Sequence, residues 1–305
     1  MGEAFDVAIV GGGPAGLEAA LVLVRAGRRV VVFDDPAPPR NGASHGVHNF
    51  LGFEGLEPKA VREKAWGEIS RYEGVTAKAE KVTQVSRQAS EGYSVRTEGG
   101  NEVRVPRLIL AFGFRDVFPD IEGFTECWAD TVIPCPFCDG YENRDRVWGV
   151  VPRNQAELAI QPRLALHWAS EVHLFLRPHL VLDEGDQRDL DASGIVTHLG
   201  VITALDHAGG KLHAATLDTG KTQPVETLLW VPEQIPTALA DQMADELSLA
   251  LTEEGFIQTD DSFSTNLPGV WAVGDVKGWT GGLSAAAAGY VAAVALLKST
   301  AQQGE

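Results

Sequence analysis

Apolar residues in the first part of the chain alternate between short continuous runs and a helical spacing. The run from Val7 to Val10 leads into a glycine-rich turn, and the spacing over Pro14 to Ala26 is typical of a helix that Gly27 ends. A second apolar run, Arg29 to Phe33, ends at Asp34. This order predicts a strand–helix–strand unit with parallel strands.

The middle of the chain repeats this pattern in a smaller form. An apolar run at Trp148 to Val151 precedes a helical spacing over Ala156 to Ala169 and a second run at Val172 to Leu176. A later strand pattern, Val270 to Val273, is followed by a long helical pattern. The fold class is therefore predicted as α/β, with one Rossmann-like domain (residues 1–115 and 236–305) interrupted by a smaller one (residues 116–235).

The first turn has the spacing of a dinucleotide-binding motif. Its first glycine allows a tight turn, its second lets the backbone approach a pyrophosphate, and its third lets the helix pack on the sheet. Helix amides then bind phosphates, and the acid after the next strand accepts hydrogen bonds from ribose hydroxyls. A glycine turn without a ligand is the alternative. The residues concerned are Gly11, Gly13, Pro14, Ala15, Gly16 and Asp34.

A second candidate cofactor segment lies near the C-terminus. The strand pattern ending at Gly274 and Asp275 resembles the segment that holds the ribityl chain of FAD in flavoproteins with two dinucleotide-binding domains. The next helix pattern begins near Gly282, Leu283 and Ser284. The positive end of its dipole would stabilise a reduced flavin. Alternatively, Gly282 and the alanines of this helix only allow close helix packing.

Cys135 and Cys138 form a CxxC motif, in which two thiols can close a small, reducible disulfide ring. Pro136 suits a helix start, whose free amides would favour the thiolate of Cys135. A zinc site would need two further ligands at motif spacing, and the sequence offers neither a second CxxC nor a paired-histidine motif, so no metal is predicted. An inert buried pair is the other alternative.

These motifs together resemble the low-molecular-weight thioredoxin reductase family. They occur in the family's order: the glycine turn, Asn49-Phe50-Leu51-Gly52-Phe53, Cys-Pro-Phe-Cys-Asp-Gly, and Gly274-Asp275. The segment Arg40 to Ser44 with His48, and the CxxC segment through Glu142, are similar to a subgroup that includes fungal dithiol oxidases such as gliotoxin-forming enzymes and bacterial relatives. The resemblance implies a flavoprotein fold with two dinucleotide-binding domains, and a homodimer.

The resemblance also implies roles for the residues around the CxxC. Cys138 would lie against the flavin and exchange electrons with it, and Cys135 would be the outer thiol that meets the substrate. Asp139 matches the family's acid/base residue, which protonates a leaving thiolate. An Asp-Gly turn without catalytic function is the alternative. Cys127 has no partner at motif spacing and is interpreted as a core residue.

Further FAD contacts follow from the same resemblance. Asn49 and Val82 match positions that touch the flavin and the adenine. The loop that contains Arg40, Asn41 and Ser44 would lie along the cofactor. His45 and His48 lie in the same region, but a loop histidine is more often simply hydrogen-bonded, so neither is placed in the site. The added FAD-binding set is Arg40, Asn41, Ser44, Asn49, Val82 and Gly113.

The second glycine turn of the family, which binds NADPH, is altered in this chain. Pro152 stands where the first glycine belongs and has no amide to donate, and Asn154 replaces the second glycine. After the next strand only Arg177 remains of the usual basic cluster, and the segment Leu229 to Glu233 lacks the family's glycine. These departures argue against efficient NADPH use.

Composition limits the partners. Acidic residues outnumber basic ones 42 to 25, for a net charge of −17, which argues against nucleic acid or an anionic membrane. Three cysteines make no secreted disulfide framework, and the apolar stretch from Ser284 to Leu297 is shorter than the roughly 20 residues of a spanning helix, so a cytoplasmic protein is expected.

Three functions stay open on this basis. The first is FAD-dependent dithiol/disulfide exchange with a thioredoxin-like protein or small dithiol, the other redox partner being oxygen or a ferredoxin- or flavodoxin-type carrier. The second is an NADPH-dependent thioredoxin reductase, and the third is a non-catalytic redox-sensing flavoprotein. The acidic surface would repel acidic carriers, which favours oxygen.

Overall fold

The computed structural model describes residues 4–88 and 92–303. The chain forms two compact units, one of Met1–Gly42, Pro58–Arg115 and Gln234–Glu305, the other of Ala43–Glu57 and Asp116–Glu233. The sequence placed residues 43–57 in the first domain, whereas the structure groups them with the second unit. The reason is local, because this segment hydrogen-bonds to the CxxC helix.

The first unit is built on a five-stranded parallel sheet with the order β18-β7-β1-β2-β3. The central strands read VAIV, VVVF and RLIL and are almost fully buried, because two helices cover one face of the sheet and a second sheet with a further helix covers the other. A second, antiparallel sheet has the order β4-β5-β6. The elements are β1 (Val7–Val10), α1 (Pro14–Arg25), β2 (Val30–Phe33), α2 (Pro58–Ile69), β3 (Val75–Lys78), β4 (Val82–Arg87), β5 (Tyr93–Thr97), β6 (Glu102–Val105), β7 (Arg107–Leu110), α7 (Ala238–Leu247), β18 (Val270–Ala272) and α8 (Gly282–Gln303).

Helices α1 and α8 pack closely on one face of this sheet. A Cβ added at Gly289 of α8 would lie 2.0 Å from the carbonyl oxygen of Ala15, so only glycine allows this approach. Ala288, Ala292 and Leu296 of α8 are buried in the same apolar cluster. The final helix therefore contributes one face to the core of the first unit.

The length argument against a spanning helix was wrong. α8 has 22 residues, and its segment Gly282–Gln302 is long and apolar enough to cross a membrane by length and composition alone. About 39% of that segment is buried inside the protein. The packing on α1 accounts for its apolar face.

The second unit has its own parallel sheet, with the order β12-β11-β10-β16-β9. A three-stranded antiparallel sheet, β13-β14-β15, adds a second layer. Two further strands, β8 (Arg115–Val117) and β17 (Glu233–Ile235), lie where the chain passes between the units. The elements are α3 (Phe124–Cys127), β9 (Val132–Ile133), α4 (Pro136–Asp139), β10 (Val147–Val150), α5 (Gln155–Ala165), β11 (Glu171–Leu176), α6 (Glu184–Ala192), β12 (Val196–Leu199), β13 (Ile202–Ala208), β14 (Lys211–Leu217), β15 (Thr222–Pro224) and β16 (Thr227–Leu229).

Candidate functional site

The first glycine turn leaves space for a phosphate at the start of α1. Gly11 has a φ of +113°, which favours glycine, and a Cβ at Gly16 would lie 2.0 Å from the carbonyl oxygen of Gly11. At Gly13 no described atom lies within 4 Å of an added Cβ. Among the described residues no side chain caps this helix, whose first residue is Pro14. The N-terminus of α1 therefore offers open amides and room for a pyrophosphate.

Asp34 lies at the end of β2 and faces the same turn. Its Oδ1 accepts a hydrogen bond of 3.1 Å from the backbone N–H of Gly12, and its Oδ2 pairs with the guanidinium of Arg62 in α2. The glycine motif predicts Asp34 as the ribose acceptor but does not indicate Arg62. Since helix α2 has no motif, only the folded chain shows this ion pair.

The Gly274-Asp275 segment follows β18 and contacts the start of α1. Gly274 has a φ of +70°, and a Cβ there would lie 3.0 Å from the Cβ of Ala15. Asp275 Oδ1 accepts hydrogen bonds from the N–H of Thr280 at 3.0 Å and from its hydroxyl at 2.9 Å. A Cβ at Gly113 would lie 4.0 Å from the Cβ of Asp275. The structure thus brings both predicted FAD segments of the first unit together.

The remaining predicted FAD contacts are divided between the two units. In the first unit Arg40 stacks between two aromatic rings, 4.7 Å from the ring centre of Phe114 and 4.6 Å from that of Trp279. Asn41 is exposed and Val82 is buried at the start of β4. Leu283 and Ser284, in the first turn of α8, are exposed. Ser44 and Asn49 belong to the second unit.

The residues of the first unit fit FAD. The open position at Gly13, the uncapped helix start and the acid at the end of β2 are what a bound dinucleotide requires. These three groups would hold the pyrophosphate and the adenosine ribose. Trp279 is an aromatic side chain of this region that the sequence did not indicate.

In the second unit, Cys135 and Cys138 flank the start of the short helix α4. Within the described residues these two cysteines form no disulfide and both are half-buried, and Cys135 is the N-cap residue. A hydrogen bond from the Cys138 thiol lowers the pKa of Cys135, and the backbone N–H groups of Cys138 and Phe137 lower it further. Because the thiolate is the reactive form, this lowered pKa makes Cys135 more reactive at neutral pH than an ordinary cysteine.

Asp139 ends the same helix beside the two thiols. Burial, together with the charge of Glu142, raises the pKa of Asp139 to about 6, while the charges of His48 and His45 act in the opposite direction. A carboxyl group with a pKa near neutrality can both give and take a proton under working conditions. The geometry therefore supports an acid/base group next to the dithiol.

His48 lies between two carboxylates near Asp139. Its Nδ1 is 2.7 Å from Oε1 of Glu54, and its Nε2 is 3.5 Å from Oε1 of Glu142. The hydrogen bond to Glu54 is the largest cause that raises the pKa of His48. Sequence reasoning left His48 out and gave no signal for Glu54 or Glu142, since the two acids are far apart in the chain.

Asn49 connects this loop to the CxxC helix. It has a φ of +56°, its N–H donates to Oε2 of Glu54 at 2.9 Å, and its side-chain amide donates to the carbonyl oxygen of Phe137. These bonds place Asn49 beside the dithiol helix. They also explain why residues 43–57 group with the second unit.

Asn143 supports the helix from the side of the sheet. Its Nδ2 donates to the carbonyl oxygen of Asp139 at 3.0 Å, and its Oδ1 accepts from Thr227 of β16 at 3.0 Å. Gly140 lies against Trp168, whose ring atoms would be 3.0 Å from an added Cβ. The dithiol helix is thus fixed by the buried Asn143 and Thr227 and the partly buried Trp168, none of which belongs to the sequence motif.

Comparison with known proteins identifies the family. The model of the pyridine nucleotide-disulphide oxidoreductase family matches residues 5–147 and 167–294. The chain belongs to this family. It is 30% identical over 286 residues to the thioredoxin reductase sirT of Leptosphaeria maculans, covering 89% of this chain and 86% of that protein, and 31% identical to the thioredoxin reductase tcpT of Claviceps purpurea, covering 88% and 86%.

Solved structures agree with this assignment. The crystal structure of HlmI superposes with a TM-score of 0.89 at 33% identity, covering 99% of this chain and 94% of HlmI. The pyridine nucleotide-disulphide oxidoreductase described here is therefore a thioredoxin reductase-like enzyme with the two-domain Rossmann-type flavoprotein fold, and FAD is its expected cofactor. These findings confirm the predicted family and fold class.

The second turn of this family member differs from the first. It joins β10 to α5, and Asn154 caps the helix by accepting a 2.9 Å hydrogen bond from the N–H of Glu157. Gln155 binds the backbone of Val181 through both its amide atoms. The predicted strand at Leu229 to Glu233 ends at Leu229, since β16 is Thr227–Leu229. The turn is thus filled by its own side chains.

Proposed function

We propose that the protein is an FAD-dependent dithiol/disulfide oxidoreductase that passes electrons between FAD, the Cys135–Cys138 pair and an external thiol or disulfide, without efficient use of NADPH. The observation that supports the thiol chemistry most directly is the pairing of a lowered pKa at Cys135 with a pKa of about 6 at Asp139. The first makes Cys135 a good leaving thiolate when its mixed disulfide with the substrate is resolved, and the second gives the proton donor and acceptor that thiol exchange needs.

In the oxidising direction, the substrate dithiol is oxidised by two thiol–disulfide exchange steps. A substrate thiolate attacks the Cys135 sulfur of the disulfide, forming a mixed disulfide and releasing the Cys138 thiolate. The second thiol of the substrate then attacks the substrate sulfur of this mixed disulfide. This step releases the Cys135 thiolate and forms the disulfide of the oxidised substrate. Asp139 takes and returns the protons at these sulfurs. When bound, FAD supplies a two-electron acceptor that restores the disulfide.

The surface beside the dithiol suits an apolar substrate. Phe137 lies between the two cysteines and is 58% exposed, and Tyr141 follows Gly140 and is 66% exposed. Leu51 belongs to the loop that Asn49 attaches to this helix and is 96% exposed. A small apolar dithiol or the apolar surface of a thioredoxin-like protein would cover these side chains.

The other redox partner is proposed to be oxygen, or else a carrier protein of ferredoxin or flavodoxin type. The filled second turn supports a route without NADPH. The net charge of −17 disfavours acidic carriers and so favours oxygen. The homodimer and the cytoplasmic location stay predictions.

The test is rapid mixing of the FAD-loaded protein under anaerobic conditions. We expect dithiothreitol to bleach the flavin within seconds, NADPH to leave it oxidised, and oxygen to restore the colour. Stoichiometric bleaching by NADPH on the same timescale would overturn the proposal in favour of an NADPH-dependent thioredoxin reductase. Failure of every dithiol, with partner binding that depends on the state of the cysteines, would favour a redox sensor instead.

A further inference from the structure

The carboxylate of Glu157 occupies the turn between β10 and α5. Its Oε2 accepts a 2.8 Å hydrogen bond from the backbone N–H of Arg153. Its Oε1 accepts from Nε of Arg153 at 2.8 Å and from Nη2 at 2.5 Å. Arg153 also donates to the carbonyl oxygen of Pro232. The carboxylate of Glu157 thus accepts hydrogen bonds from a backbone N–H and from two nitrogens of a guanidinium. Proteins commonly bind phosphate through the same kinds of donor.

The same residue closes the helix start. Asn154 Oδ1 accepts the N–H of Glu157, and the Glu157 side chain reaches back to the N–H of Arg153, one residue beyond the N-cap N–H that a capping box uses. The ion pair is partly buried, with Arg153 28% and Glu157 15% exposed. The backbone N–H and the guanidinium of Arg153 are therefore already bound to a negative charge of the protein itself, the carboxylate of Glu157.

We propose that Glu157 is the specificity-determining residue that closes this turn to a dinucleotide, because its carboxylate takes the place and the partners that a pyrophosphate would need. This inference rests on the proposed function and gives its NADPH independence a physical cause. The loss of glycines at Pro152 and Asn154 narrows the turn, and the charge of Glu157 repels a second anion.

The surroundings of the turn show that the cleft itself remains open. A cavity of about 340 Å³ lies at the carboxyl ends of β10, β11 and β16, where parallel sheets commonly bind ligands. Val151, Arg177 and Trp230 are among its lining residues. Burial lowers the pKa of Arg177, and the charge of Glu157 opposes that effect. Removal of Glu157 would leave two arginines beside an open cavity.

The experiment measures binding of sodium pyrophosphate to the FAD-loaded protein by calorimetry at low ionic strength. FAD fills the first turn, so binding reports on the second. Glu157→Gln keeps a side-chain acceptor for the N–H of Arg153 and removes the charge, whereas Glu157→Ala removes both. The cap by Asn154 uses the backbone N–H of residue 157 and stays in each variant. The matched control is Glu184→Gln, an acid in the first turn of α6 in the same unit. Thermal unfolding of each variant verifies that it is folded.

We expect both Glu157 variants to bind pyrophosphate at least about tenfold more tightly than the wild type and the Glu184→Gln control. Equal affinities in all four folded proteins would overturn the inference, as would tight binding by the wild type. The readout is independent of thiol chemistry. A protein that oxidises no dithiol yet gains affinity in Glu157→Gln would disprove the proposed function alone, and the reverse result would disprove this inference alone.

Discussion

The two strand–turn–helix segments of this protein have the same topology and opposite chemistry. Each follows a buried parallel strand and opens a helix that packs on the sheet. At the first turn, an added Cβ at Gly13 meets open space and no described side chain caps the helix. At the second, Asn154 caps the helix and Glu157 binds Arg153.

The difference shows what makes a nucleotide site. In both turns the topology places a helix N-terminus at the carboxyl edge of the sheet. A phosphate binds there only where the backbone N–H groups are open and the ligand can approach the backbone. A few residues decide this, while the sheet stays the same. In the second unit the proposed chemistry therefore lies at the dithiol and not at the turn.

The largest effect is expected from Cys138→Ser. Turnover of a dithiol should fall by at least about a thousandfold, because the remaining thiol cannot close a disulfide. FAD content should stay at the wild-type level, since the first turn is unchanged. The control is Cys127→Ala, a buried thiol outside the motif. Unchanged turnover in Cys138→Ser would show that the Cys135–Cys138 pair does not carry the reaction.

A smaller effect is expected from Gly13→Ala. The added methyl group meets no described atom within 4 Å, so the protein should fold, but it enters the space predicted for the pyrophosphate. FAD affinity should fall about tenfold to a hundredfold, measured by titration of the apoprotein. Asn154→Gly, at the second turn, should leave FAD affinity unchanged. Equal losses in both variants would contradict the contrast between the turns.

The smallest effect concerns the pH profile of thiol exchange. Steps that need protonated Asp139 should slow as the pH rises through its pKa of about 6. Glu142→Gln should move this decline to lower pH, because Glu142 raises that pKa, and His48→Gln should move it to higher pH. Rates near pH 6 should change by less than about tenfold. Shifts in the same direction for both variants would show that the pH profile does not report the protonation of Asp139. Glu184→Gln again serves as the control.

Much of the fold follows from periodicity in the sequence. The pattern predicted a helix over Pro14 to Ala26, and the structure has α1 at Pro14–Arg25. It predicted a strand at Val172 to Leu176, close to β11 at Glu171–Leu176. The helix predicted over Ala156 to Ala169 ends earlier, at Ala165, which frees Trp168 to pack beside the dithiol helix. Such local patterns are readable because burial imposes their period.

Contacts between distant segments could not be predicted in this way. His48, Glu54 and Glu142 meet only because a loop folds onto the dithiol helix, and the motifs gave none of them a role beside Asp139. The charge of Glu157 was likewise not recognised, because a glutamate in the first turn of a helix is common and its partner Arg153 is set by the turn geometry. Motif reading finds the reactive groups better than the groups that tune them.

The support of the dithiol by Asn143 has a consequence for how such a chain can change. Its amide uses both its nitrogen and its oxygen within the protein, so Asp or Leu at this position would leave buried partners unsatisfied, at about 1–3 kcal/mol each. None of these bonds involves the turn at Pro152 to Glu157. Mutations can therefore accumulate at one end of the unit, and a nucleotide can be abandoned, while the sulfur chemistry at the other end is inherited intact.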